Sequence, residues 1–113
     1  MSEIEGIMKA LNQFRDDRNW AQFHNAKDLS LALSIEAAEL NELFLWKNEK
    51  ELEETDPEKI KEELADILSY AFLIAGKYNF NIPEIMMDKI KKNNNRYPVD
   101  KSRGNSKKYN DLN

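Results

Sequence analysis

Apolar side chains recur at the three- and four-residue spacing of an α-helix in four segments of this chain, and no segment alternates polar and apolar residues with period two. The first segment shows the pattern clearly, with Ile4, Ile7, Met8, Leu11 and Phe14 on one helical face. Only three glycines and three prolines interrupt the 113 residues. An all-α fold is therefore expected, because strands need the alternating pattern and their turns need more chain breakers.

Four helices are predicted, over residues of about 4–18, 28–46, 57–77 and 83–95. Asp28 is the expected N-cap of the second helix. The third begins at Thr55-Asp56-Pro57-Glu58, which has a capping-box pattern with proline in the first turn. Residues 49–54 are expected to form an acidic, solvated connection. The fourth helix ends near Asn95 because Pro98 disfavours helical geometry at Tyr97.

The chain is long enough for one domain and too short for two. Residues 1–98 are predicted to form a helical domain, an antiparallel bundle of about four helices with helices two and three as its central hairpin. Residues 99–113 are polar and basic, and they are expected to form a C-terminal tail that becomes ordered only against another surface.

Several kinds of site are excluded by composition. The chain has no cysteine, which removes disulfides, thiolate metal sites and cysteine nucleophiles, and its single histidine, His24, cannot build a multi-histidine metal site. The longest nearly apolar run, residues 67–75, is too short to span a bilayer, and the first nine residues lack a signal pattern. These features favour a soluble, cytoplasmic protein without a membrane partner.

Charge is distributed unevenly along the chain. Residues 1–88 hold 9 Lys/Arg and 19 Asp/Glu, whereas residues 89–113 hold 8 Lys/Arg and 2 Asp/Glu. The acidic body argues against nucleic acid as a partner. The basic end is suited to phosphate groups or to another acidic surface.

Each of the two central helices carries a pair of carboxylates three residues apart on or beside its apolar face. Glu36 falls in the middle of a leucine stripe on helix two, and Glu39 lies at the edge of that stripe. Glu63 lies at the margin of the apolar face of helix three, with Asp66 next to it. The stripe of helix two consists of Leu29, Leu33, Leu40 and Leu43, and that of helix three of Ile60, Leu64, Ile67, Ala71 and Ile74.

Paired carboxylates that face a packed surface need a compensating charge. Two of them about 6 Å apart, at an effective dielectric constant near 20, repel by about 3 kcal/mol. Protons or a metal ion can offset this repulsion, and all-oxygen ligation by Glu and Asp favours Mg²⁺, with Mn²⁺ second. Since Mg²⁺ is commonly completed by substrate phosphates, the pattern indicates a phosphate-containing substrate. The alternative is a solvated acidic face with arginine partners.

These residues resemble a known family. The segments Ile35-Glu36-Ala37-Ala38-Glu39-Leu40 and Glu62-Glu63-Leu64-Ala65-Asp66-Ile67 are similar to the E-x-x-E…E-x-x-D signature of all-α, MazG-like nucleotide pyrophosphohydrolases, particularly the dCTP pyrophosphatase branch. Further similar segments are Trp20-Ala21-Gln22-Phe23-His24, Leu43-Phe44-Leu45-Trp46-Lys47, Asn93 with Arg96-Tyr97-Pro98, Ser102-Arg103-Gly104 and Lys107-Lys108-Tyr109.

The resemblance implies a Mg²⁺-dependent hydrolase that converts a nucleoside triphosphate, such as dCTP, to the monophosphate and pyrophosphate. The implied metal ligands and catalytic residues are Glu36, Glu39, Glu63 and Asp66. The residues implied for substrate binding are Trp20, His24, Trp46, Tyr70, Lys89, Asn93 and Arg96. Ordinary core packing is the alternative for Trp46 and Tyr70, a structural role for His24, and helix-dipole complementarity for the cations of helix four.

The resemblance also bears on how the chain assembles and on its biological role, and two other functions compete with it. The resemblance implies a homotetramer built as a dimer of dimers, and a role in clearing surplus or modified nucleotides. A non-catalytic helical interaction module with solvated acidic faces is the alternative function. A redox di-metal carboxylate bundle ranks last, because such sites use E-x-x-H pairs and His24 is not spaced that way.

Overall fold

The computed structural model of the chain describes residues 1–112 and is built from helices, with no strand in that range. Two short 3₁₀ turns, Ala21–Phe23 and Tyr109–Asp111, accompany the α-helices. The all-α prediction is confirmed. The α-helices are α1 (Glu3–Asp17), α2 (Ala26–Glu42), α3 (Glu49–Glu53), α4 (Pro57–Lys77), α5 (Ile82–Arg96) and α6 (Val99–Ser102).

The chain divides into two compact units, Met1–Phe80 and Asn81–Asn113. The first holds α1 to α4 and the second holds α5, α6 and the C-terminal 3₁₀ turn. The predicted tail, residues 99–113, contains α6 and that turn rather than being without secondary structure. Its last residue, Asn113, lies outside the described residues. The functional boundary expected at residue 98 stays a prediction.

The second helix begins and ends earlier than predicted. Its N-cap is Asn25, whose side chain accepts a hydrogen bond from the backbone of Asp28, so the expected cap at Asp28 is wrong. Asp28 instead accepts a hydrogen bond of 2.9 Å from the Asn25 amide. At the other end α2 stops at Glu42, and Leu43 to Trp46 form turns. The turn ends at Trp46 in the left-handed region, with φ of 62°.

The acidic segment after α2 forms a short helix rather than a solvated connection. Asn48 caps α3, and it forms a reciprocal capping box with Glu51. The start of α4 is capped by Asp56 with Pro57 in the first turn, so the helix begins where predicted but without a Thr55 capping box. Thr55 is buried instead, and its hydroxyl lies 3.4 Å from the Lys47 ammonium.

Helices α2 and α4 form the principal packing interface of the first unit, and α1 packs against α4. Leu29, at the start of α2, lines one cavity with Leu73 near the end of α4. Glu36, further along α2, lines another with Asp66, earlier in α4. The two helices therefore run antiparallel, which confirms the predicted central hairpin.

The core of this unit is small. Leu29 and Ala75 are the buried apolar residues among those described, with 2% and 5% of their surfaces exposed. Leu64, which was placed on the apolar stripe of α4, is 46% exposed. Other apolar residues that remain exposed include Leu31, Ile35, Leu68, Ile85, Met86, Met87 and Ile90.

The ring of Tyr109 makes an edge-on aromatic contact and a cation–π contact in the second unit. The ring of Tyr97, which caps α5, meets Tyr109 edge-on at 6.2 Å, and the Arg96 guanidinium lies 4.8 Å from the centre of the Tyr109 ring. Gly104 supplies the positive φ of 79° that the intervening turn requires. Within residues 1–112, no helix is both long enough and apolar enough to cross a membrane.

Candidate metal and substrate site

The antiparallel pairing of α2 and α4 places the two acidic pairs at the same level. One carboxylate oxygen from each of Glu36, Glu39 and Glu63 lies within 4.8 Å of the others. Asp66, the fourth predicted ligand, stands outside that triplet. It lies close enough for its charge to raise the pKa values of Glu36 and Glu63. The sequence-predicted set is therefore assembled as a group of three with a fourth carboxylate beside it.

Two carboxylates of the triplet, Glu36 and Glu63, have raised pKa values. The pKa of Glu36 is raised to about 7, first by its hydrogen bond with Glu39, then by burial, and then by the charges of Glu39, Asp66 and Glu63. Burial and the hydrogen bond with Glu39 also raise the pKa of Glu63. When no cation is present, the raised pKa favours a proton on Glu36, shared through its hydrogen bond with Glu39.

Within residues 1–112, none of these carboxylates has a basic partner. No ion pair formed within residues 1–112 involves Glu36, Glu39, Glu63 or Asp66, which removes the solvated face with arginine partners as an explanation. The Oε2 atoms of Glu36 and Glu63 are shielded from solvent and accept no hydrogen bond from any residue in that range. Clustered, unsatisfied oxygens are the donors that a hard divalent cation requires, so the residues fit a metal ion.

A cavity of about 270 Å³ adjoins the acidic cluster. Three residues predicted to bind substrate, Trp20, His24 and Tyr70, line it together with Glu36 and Asp66. An aromatic and apolar wall next to carboxylates matches the needs of a ligand with a flat ring at one end and phosphates at the other. The remaining lining residues are Leu11, Phe14, Arg15, Ser69 and Leu73.

The end of α1 sets the position of Trp20. Asn19 adopts a positive φ of 55°, which asparagine tolerates, and the Trp20 amide then donates to the Arg15 carbonyl at 3.0 Å. This reversal places the indole edge-on against Phe14, with ring centres 5.8 Å apart. The Arg18 guanidinium covers the Phe14 ring at 3.7 Å.

Two polar groups of the cavity, His24 and Tyr70, have shifted pKa values. Burial and the nearby Arg15 charge lower the pKa of His24, so the imidazole is neutral at pH 7. Burial raises the pKa of Tyr70, with further contributions from Glu36, Asp66 and Glu39, and its phenol stays protonated. Both side chains can therefore donate a hydrogen bond to a ligand.

Among residues 1–112, the lining of this cavity comes from the first unit. Trp46 is absent from its lining and is 92% exposed. Lys89, Asn93 and Arg96 are exposed on α5 in the second unit. Their roles stay predictions.

Sequence reasoning predicted Asp66 and Tyr70 of α4 but missed the other residues that α1 and α4 contribute to the wall. Leu11 and Phe14 were recognised as members of an apolar face, but which helix they face depends on tertiary packing. Ser69 lies one helical turn beyond Asp66, and that spacing is the signal that could have placed it at the site.

Comparison with known proteins now identifies the family. The MazG-like family model matches residues 31–112, a span that contains the three clustered carboxylates and Asp66. The chain belongs to the MazG-like family. This MazG-like chain is 37% identical to dCTP pyrophosphatase 1 of Rattus norvegicus over 114 residues, covering 96% of this chain and 67% of the relative. It is 34% identical to dCTP pyrophosphatase 1 of Homo sapiens, with the same coverage.

The fold of this MazG-like chain is shared with a solved structure. A pyrophosphatase from Archaeoglobus fulgidus superposes with a TM-score of 0.81 at 33% sequence identity, over 87% of this chain and 94% of the other. Together with the curated relatives, it supports a hydrolase of the nucleotide diphosphatase class.

Proposed function

We propose that this MazG-like protein is a Mg²⁺-dependent pyrophosphohydrolase that converts a dCTP-like nucleoside triphosphate and water to the monophosphate and pyrophosphate. The observation that carries the proposal is the convergence of three carboxylates within 4.8 Å without a basic partner in residues 1–112. Mn²⁺, another hard divalent ion, is expected to substitute.

The carboxylates would perform two tasks. Glu36, Glu39 and Glu63 would hold the cation, with Asp66 as a further ligand or as an acceptor of the proton from the attacking water. When bound, the ion supplies charge that offsets the phosphate oxygens and makes water more acidic. The raised pKa of Glu36 supports this assignment, because a cation would displace the shared proton.

The adjoining cavity would hold the nucleoside. Trp20 and Tyr70 offer aromatic surfaces, and the neutral His24 imidazole offers one donor and one acceptor to the polar edge of a base. Cytosine is the base we propose, because the curated relatives are named dCTP pyrophosphatases.

The triphosphate would extend towards cationic groups. Lys89, Asn93 and Arg96 lie at three- and four-residue spacing on α5, where two charges and one amide can contact phosphate oxygens. We assign the same role to Lys107 and Lys108, acting on the site of the same or a neighbouring subunit. Trp46 would join the base site from a neighbouring subunit, which accounts for its exposure.

Self-association would cover the exposed apolar faces. Leu31 and Ile35 form an exposed pair on α2, and Leu64 and Leu68 form another on α4. A unit with two buried apolar residues leaves much apolar surface in water, and a second copy would remove it. We propose a homotetramer, arranged as a dimer of dimers, that acts in the cytoplasm to clear surplus or modified nucleotides.

A product assay tests the proposal. The purified protein is incubated with dCTP and a panel of dNTPs and NTPs, with Mg²⁺ and separately with excess EDTA, and products are resolved by chromatography. Pyrophosphate and the monophosphate should appear in equal amounts, only with Mg²⁺, and fastest from dCTP. Orthophosphate and the diphosphate as products, or no turnover of any triphosphate, would contradict it. The second outcome would favour the non-catalytic interaction module.

A further inference from the structure

A second cavity, of about 340 Å³, adjoins the one that the acidic cluster lines. The two cavities share Arg15, His24 and Leu73 in their walls. The second contains no carboxylate, whereas Glu36 and Asp66 line the first. Its volume falls within the range of small-molecule sites, about 300–1,000 Å³. Its remaining lining residues are Asn12, Ala21, Leu29, Gly76 and Lys77.

The lining of this cavity is cationic. Arg15 comes from α1 and Lys77 from the last turn of α4. The Nε of Arg15 donates to Asp16 at 2.8 Å, and within residues 1–112 its two terminal nitrogens make no hydrogen bond. Lys77 forms no ion pair in the same range. Both side chains therefore keep donors for an incoming anion.

Neutral donors complement the two charges. Asn12 contributes an amide to the wall. The Nδ1 atom of His24 is shielded from solvent, and none of residues 1–112 gives it a hydrogen-bond partner. A shielded polar atom without a partner is costly unless a ligand or water supplies one. An oxygen-rich anion, with a bound water at Nδ1 where needed, satisfies all four groups.

We propose that this cavity is an oxyanion site that binds pyrophosphate, separate from the metal-dependent substrate site and joined to it through the shared wall of Arg15 and His24. Pyrophosphate as the occupant rests on the proposed function, which releases it beside this wall. The anion-binding character rests on the lining residues alone.

Titration calorimetry on the full chain tests the site. Sodium pyrophosphate is titrated in EDTA at constant ionic strength, so that no cation can hold it at the carboxylates. Binding to the wild type is expected. Lys77→Gln and Asn12→Ala should each weaken it, Lys77→Gln by roughly tenfold, the loss typical of a charge-assisted hydrogen bond. Lys59→Gln, at an exposed lysine of the same helix, is the matched control and should leave Kd unchanged.

Several results would overturn the proposal. One is that the wild type does not bind pyrophosphate. Another is that Lys77→Gln and Lys59→Gln weaken binding equally. A third is that Glu39→Gln abolishes binding while Lys77→Gln leaves it unchanged. A parallel titration with dCMP shows whether the cavity prefers pyrophosphate or the monophosphate. Binding of dCMP that depends on Lys77, without binding of pyrophosphate, would also contradict the proposal. The titrations contain neither triphosphate nor Mg²⁺, so absence of hydrolysis would refute the proposed function and leave this result intact.

Discussion

At the scale of single residues, the account depends on Glu36. Its carboxylate sits between the charges of Glu39, Glu63 and Asp66, and one of its oxygens is shielded without a partner in residues 1–112. Such a group must bind either a proton or a cation. If Glu36 holds the proposed cation, metal binding, protonation and stability are coupled at this one residue.

The ligand assignment predicts the effect of removing a carboxylate. Glu39→Ala and Asp66→Asn should each lower kcat by roughly 100- to 1,000-fold, the range for loss of one electrostatic contributor at a reacting centre. Steady-state kinetics with Mg²⁺ measures the loss, and circular dichroism checks that the helices remain. Glu42→Gln, on the same helix as Glu39 but outside the cluster, is the control. Full activity in both variants would refute the assigned site.

The raised pKa of Glu36 predicts how stability depends on pH. In EDTA the folded protein binds a proton more tightly than the unfolded chain, so this contribution is complete below about pH 4.5 and is lost as pH rises through about 7. The melting temperature of the wild type should therefore fall between pH 5.5 and 8 more than that of Glu36→Gln. Added Mg²⁺ should restore the melting temperature of the wild type at pH 8. An equal fall in melting temperature with pH in the two proteins would contradict the coupling.

At the scale of helices, the α2–α4 pair holds the site together. Leu29 is the leucine buried at the start of that interface. Its shortening to alanine should cost about 2–5 kcal/mol of unfolding free energy, as for other buried leucines. Urea denaturation measures the change, and Leu52→Ala, at a 40% exposed leucine of α3, should cost much less. Equal losses in the two variants would show that Leu29 is not a core residue.

The helices and the acidic cluster were largely predictable from sequence, whereas the walls of the cavities were not. Periodicity and Pro57 located α4, and the two E-x-x-[E/D] pairs gave the carboxylates that meet. The N-cap of α2 was misplaced because Asn25 and Asp28 are both capping residues and bond reciprocally. Helix α3 is too short for periodicity to show, and it depends on its Asn48 cap. Contacts made by Arg15 depend on how α1 packs, which no local pattern encodes.

At the scale of the whole molecule, an isolated chain leaves much apolar surface in water, and this exposure lowers its stability. Leu31, Ile35, Leu64 and Leu68 are each 46–58% exposed on the helices that form the site. In the proposed tetramer, burying such surface between copies would stabilise the fold and would exclude water from the site.

Self-association predicts a sedimentation result. The wild type should sediment as a tetramer, and the double variant Leu31→Glu/Ile35→Glu should dissociate because it places charges on the face that the proposed assembly buries. Val99→Glu, at a residue that is 74% exposed in the second unit, should leave the assembly unchanged. A wild-type monomer at micromolar concentration would contradict the proposed assembly.

Direct measurement of cation binding tests the central claim. Mn²⁺ bound to the full chain is counted by electron paramagnetic resonance at pH 8, with wild type, Glu36→Gln and the control Glu42→Gln. The account predicts saturable binding by the wild type and the control, competition by Mg²⁺, and loss of binding in Glu36→Gln. Mn²⁺ affinity that is equal in all three proteins, or absent from the wild type, would contradict it.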